Sequence, residues 1–120
     1  MKKSEFLALV QEELDTIKVN ATKKEIKRLN FSGFVHHSSY SCIYGQMTGH
    51  CNSVRAHEIF PKKYDGIGGG YCDEYRPFRT QDLEHGNNFT PLEKYLYMVE
   101  ASQHEKLIKY LKGEINTIKL

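Results

Sequence analysis

The side chains able to do chemistry are crowded into the middle of this chain. Residues 36–89 hold all three cysteines, five of the six histidines and seven of the nine glycines. At their centre runs Tyr44-Gly45-Gln46-Met47-Thr48-Gly49-His50-Cys51-Asn52-Ser53-Val54-Arg55-Ala56-His57, a series of small and polar residues leading into a helix start. With Asn52 or Ser53 as N-cap, the amides near Val54 to Ala56 lack helical partners and face the loop, where they attract an anion. Gly45 and Gly49 permit close backbone approach, Gln46, Thr48 and Ser53 offer directional hydrogen bonds, and Arg55 offers a planar fork for phosphate or carboxylate. Tyr44 or Tyr71 would cover an aromatic ring of the ligand. The order of residues is neither a Walker loop nor the dinucleotide fingerprint. The competing reading is an ordinary capped strand-loop-helix turn without a ligand.

A second chemistry is nucleophilic. Cys51 at a helix start, beside His50 and two turns before His57, sits where a helix dipole and an imidazolium would both favour the thiolate. His50, His57 or His36 would serve as its base. A phosphatase loop needs five residues between cysteine and arginine, and only three separate Cys51 from Arg55. The structural counterpart is a cysteine acting as a small buried hydrophobe. For zinc, Cys42, Cys51, Cys72, His36, His37, His50 and His57 are the candidate ligands. None forms the short-spaced pair that structural zinc sites use, so no cofactor is expected.

Gly66-Ile67-Gly68-Gly69-Gly70 could close over a ligand, though a surface connection explains such a string as well. Asp73 and Glu74 could act as acid or base only if brought beside the loop, and ion pairs with Arg76 and Arg79 are the plainer reading. Tyr40, Tyr44, Tyr64, Tyr71 and Tyr75 could stack on a base or anchor a protein interface; alternatively they build the core of a segment poor in Leu and Val.

Several elements must position these residues. Phe6, Leu9, Val10, Leu14 and Ile17 recur at helical spacing, predicting a helix over 5–18 capped by Ser4, with Glu12, Glu13 and Lys18 off its apolar face. Thr22-Lys23-Lys24-Glu25 has capping-box spacing and predicts a short helix to about Leu29 or Asn30. Tyr40, Cys42 and Tyr44 alternate as a strand entering the central loop, and a helix over 53–60 ends before Pro61. Two further capping boxes, Thr90-Pro91-Leu92-Glu93 and Ser102-Gln103-His104-Glu105, predict two more helices, the second closed by Gly113. Residues 92–99 also alternate like a strand, with the cap favouring helix. The tail, 115–120, reads as a short strand.

Length and charge bound the rest. At 120 residues, with 39% hydrophobic and 27% charged residues, the composition is that of one folded, soluble domain. It divides into N-terminal helices (1–35), the Cys/His/Gly-rich segment (36–89) and C-terminal helices with a tail (90–120). The net charge of +2 is spread thinly. Lys23, Lys24, Lys27 and Arg28 make the only dense basic cluster, read as a solvated face, which argues against nucleic acid. No apolar run approaches a membrane span, Met1 to Phe6 lack the apolar core of a secretion signal, and an odd cysteine count suits reduced thiols in a cytoplasm.

The expected fold is therefore α+β, with terminal helices packed around a short β-sheet that presents a central Gly-rich loop-helix site. The expected function is binding of an anionic small molecule, a nucleotide or phosphate ester, through Tyr44, Gly45, Gln46, Thr48, Gly49, Ser53, Arg55 and Tyr71. The alternatives are a cysteine-dependent hydrolase or transferase using Cys51, His50 and His57, and a small inhibitor or adaptor of mobile-element or phage type that binds a protein partner. Oligomeric state is not legible in the sequence.

Overall fold

The computed structural model describes residues 2–31, 42–61 and 90–120. His36, His37, Tyr40, Cys72, Tyr71, the Gly66–Gly70 string, Asp73 and Glu74 lie outside them. Six helices occur in the described residues: α1 (Lys3–Asn20), α2 (Lys23–Lys27), α3 (Ile43–Thr48), α4 (Val54–Ile59), α5 (Pro91–Leu96) and α6 (Ala101–Leu111). Helix accounts for 64% of these residues and no strand is present among them, which corrects the α+β expectation. Of the alternating residues expected as a strand, Cys42 and Tyr44 are described and do not lie in one. Cys42 is instead the N-cap of α3, its Sγ accepting from the Gly45 amide at 3.3 Å, and Ile43, Tyr44 and Met47 share the buried face of that helix. The tail at 115–120 is likewise irregular, tethered where the Gln103 side chain donates to the Lys119 carbonyl.

Local chemistry explains the boundaries. Thr22 and Thr90 both form complete capping boxes, with Glu25 and Glu93 respectively. Ser53 caps α4 by accepting from the Ala56 amide. Helix α6 closes on Gly113 at φ +78°, where the Gly113 amide donates to Tyr110 and the Glu114 amide to Lys109, satisfying carbonyls that the helix leaves open. Two expected caps differ. Helix α1 begins at Lys3 rather than after Ser4, and α6 begins at Ala101, so Ser102 lies inside its first turn.

The core is one cluster assembled on α1, which packs most extensively against α5. Phe6, Val10, Leu14 and Ile17 form the buried stripe of α1, and Glu13 lies in the middle of it, fully buried. Its Oε2 accepts from the Tyr44 hydroxyl of α3 at 2.6 Å and its Oε1 from the Leu92 amide of α5 at 2.8 Å. The start of α5 is thereby completed from outside. Pro91 has no amide hydrogen, Glu13 takes that of Leu92, and Thr90 Oγ1 takes that of Glu93. Every residue of α5 is buried, so these first-turn donors have no water to fall back on. No buried side-chain polar atom among the described residues lacks a partner.

Burial pushes the Glu13 carboxyl up from 4.5 to about 8, against hydrogen bonds from Thr90, Tyr44 and Leu92 that lower it and the nearby Glu93 charge that raises it further. The acid is thus neutral in the fold where it ionises in the unfolded chain. Between about pH 4.5 and 8 the folded state binds the extra proton, and the stability that Glu13 contributes falls as pH rises, by on the order of 1 kcal/mol per pH unit within that window. Glu13→Gln should flatten this slope in urea melts followed across pH 5 to 8. Glu13→Ala should cost roughly 2–5 kcal/mol, because the Tyr44 hydroxyl and Leu92 amide then stay buried without an acceptor. A wild-type slope of zero or above over that range would contradict the assignment.

Candidate functional site

The central loop is built as a chain of caps. Helix α3 ends at Gly49 with φ +96°, a conformation that favours glycine, and the chain turns through His50 to Asn52 into α4. Thr48 Oγ1 lies 2.7 Å from the Tyr44 carbonyl and 2.9 Å from that of His50, and it accepts from the Ser53 hydroxyl at 2.8 Å. The Gln46 amide grips the Asn30 backbone at both ends, donating to its carbonyl and accepting from its N–H. His50 Nδ1 accepts from the Asn52 amide, so that ring nitrogen carries no proton. The structure therefore brings Thr48, Gly49, His50 and Ser53 together. Their hydrogen-bonding groups close the turn upon itself.

Arg55 points elsewhere. Its guanidinium makes a two-point contact with Glu25 of α2, at 2.8 Å and 2.7 Å, and also donates to the Asn20 carbonyl that ends α1. Hydrogen bonding to Arg55 holds the Glu25 carboxyl down at about 2. Asn20 in turn donates to the Ile59 carbonyl, so the fork and this amide fasten α4 near both its ends to the α1–α2 corner. Tyr44 is also committed: its ring stacks on Phe60 with centroids 6.1 Å apart, its hydroxyl serves Glu13, and the side chain is fully buried. Gly45 is buried within α3. Cys51 is half-buried and packs against the apolar core, while His57 is exposed in the last turn of α4. Among the described residues no group of His, Cys, Asp and Glu could hold a metal ion.

A different feature faces solvent with charge to spare. The end of α1, the length of α2 and the end of α6 enclose a cleft of about 390 Å³. Its floor is Ala21, Ile26 and Leu111, and its rim is Lys18, Lys23, Lys27 and Lys112. Lys23 and Lys27 are one turn apart on α2; Lys18 and Lys112 stand at the carbonyl ends of α1 and α6, whose partial negative charge offsets some repulsion among four like charges. None of the four ammonium groups is held in a salt bridge among the described residues. Sequence reasoning saw Lys23 and Lys27 as part of a solvated basic face. What it lacked was the long-range packing that brings Lys18 and Lys112 to the same opening, while Arg28 turns away to the Met47 carbonyl.

The Arg55 clamp makes its own prediction. Arg55→Ala should lower stability by roughly 1–2 kcal/mol, discounted for the partly exposed guanidinium, and Arg55→Lys should not restore it because an ammonium lacks the planar fork that meets both Glu25 oxygens while also reaching the Asn20 carbonyl. In the wild type, the depressed Glu25 carboxyl contributes stability above about pH 4.5 that is lost as pH falls toward 2, and both variants should lose less in that window. Acid-titrated denaturation curves check both points; variants as stable as the parent would remove the clamp from the account. The chain matches no protein-family model, and neither a curated protein nor a solved structure is significantly similar to it.

Proposed function

We propose that this chain is a binding protein for a small anionic molecule of the phosphate-ester class, received in the lysine-rimmed cleft rather than in the loop between α3 and α4. The observation that supports the reading is the convergence of Lys18, Lys23, Lys27 and Lys112 on one opening with an aliphatic floor. Small-molecule sites combine an apolar body with a few convergent polar groups, and this cleft falls within their usual range of volume. The ammonium groups of Lys23, Lys27 and Lys112 act as point charges for a phosphate, each carrying three donors. Four positive charges at one mouth also raise the local concentration of an anion before contact.

The loop from Gly45 to Arg55 keeps a supporting role in this reading. By binding Glu25 and the Asn20 carbonyl, Arg55 fixes where α2 leaves α1, and with it the spacing of Lys18 and Lys23. A cytoplasmic setting is part of the proposal, in keeping with the odd number of cysteines, three in the chain. No helix among the described residues is long and apolar enough to cross a membrane.

Calorimetric titration at low salt with a panel of phosphate esters (an alkyl phosphate, a sugar phosphate and a nucleotide) tests the reading. At least one should bind, with affinity falling as salt is raised. The double reversal Lys27→Glu/Lys112→Glu, at exposed positions that leave the core untouched, should weaken binding at least tenfold. Silence across the panel, or equal binding by the double variant, would refute it.

A further inference from the structure

The lining of the cleft restricts what kind of anion fits, and this step rests on the cleft reading above. Its walls and floor are Lys18, Ala21, Lys23, Ile26, Lys27, Leu111, Lys112 and Gly113. Among the described residues that line it there is no aromatic ring to stack on a nucleobase, and no side-chain hydroxyl, amide or carboxylate to read a base edge or a sugar hydroxyl. Tyr110 is the aromatic residue next to Leu111, and it is engaged. The Lys18 ammonium lies 4.1 Å from its ring centroid, and its hydroxyl is bonded to Asp15 and Gln11. What remains of the described lining is aliphatic, with lysine side chains as its charged groups.

We infer that the cleft takes an aliphatic chain ending in a phosphate, an alkyl monophosphate-like amphiphile, in preference to a nucleotide or a sugar phosphate. The chain lies against Ile26, Leu111 and Ala21, and the phosphate sits among Lys23, Lys27 and Lys112. Burial of the chain supplies affinity in proportion to its length, whereas the head supplies charge without orientation. The same head-and-tail chemistry occurs as a free single-chain ester and as the exposed end of a lipid in a bilayer.

The full chain, titrated with hexyl phosphate, octyl phosphate, octanol and adenosine monophosphate below any micelle concentration, separates the possibilities. Each buried methylene tightens binding by up to about fourfold, so octyl phosphate should bind roughly tenfold tighter than hexyl phosphate. Octanol and adenosine monophosphate should each bind at least tenfold more weakly than octyl phosphate, and Lys23→Glu/Lys27→Glu should lose at least tenfold for both alkyl phosphates while leaving octanol unchanged. Adenosine monophosphate binding as tightly as octyl phosphate, or chain length making no difference, overturns the aliphatic preference while leaving anion binding intact; silence from every probe overturns both. Vesicles containing phosphatidic acid form the last arm. Co-sedimentation with them alongside binding of the monomeric ester places the site's natural source in a bilayer, and co-sedimentation without it overturns the cleft in favour of diffuse surface adsorption.

Discussion

A single carboxyl group joins the parts of this molecule that the chain itself keeps apart. Glu13 projects from the apolar stripe of α1, takes the phenolic hydrogen of Tyr44 on α3, and supplies the acceptor that α5 lacks at its second helical residue. Three helices, drawn from positions as far apart as 13 and 92, thus share one polar junction inside a mainly apolar core. The bonds are directional, so they select a register that oily contacts alone would leave open. Burial holds the acid neutral, and the nearby Glu93 carboxylate presses in the same direction.

The rest of the structure hangs on α1 as a spine. Outward from Glu13, Asp15 accepts from the Tyr110 hydroxyl and Lys18 lies over the Tyr110 ring, which seats α6 along one side. At the end of the helix, the Asn20 carbonyl meets Arg55 and the Asn20 side chain meets Ile59, which seats α4 on another. The corner at Ala21 then turns into α2 through the Thr22 capping box. Lysines at 18, 23, 27 and 112 come together only because α1, α2 and α6 are all placed by these contacts. A cleft with such a rim is a tertiary object.

Local signals in the sequence were legible where a few neighbouring residues decide the outcome. The Thr22 and Thr90 capping boxes, Ser53 as a cap, and Gly113 as a helix terminator all appear as read, and the cap at Thr90 rightly outweighed the alternation over 92–99. Alternation misled at Cys42 and Tyr44 because a thiol can cap a helix, and the strand expected at 115–120 is absent, the tail being bonded through Lys119. Glu13 was available to a closer reading: it stands seven residues after Phe6, three after Val10 and four before Ile17, at the middle of the buried stripe. A carboxylate in that position signals a buried polar partner. Arg55 illustrates the opposite limit, since nothing local distinguishes a guanidinium that grips Glu25 from one that awaits a phosphate.

The neutral buried carboxyl is the claim on which this arrangement stands, and the protonation state of that one atom group can be observed directly. Carbon-13 NMR of the glutamate side-chain carboxyls, with Glu13 assigned by its absence in Glu13→Gln, should show its resonance titrating near pH 8. A Glu13 resonance with a midpoint near 4.5 would mean that the group is solvated, and the junction of α1, α3 and α5 would then need a different explanation.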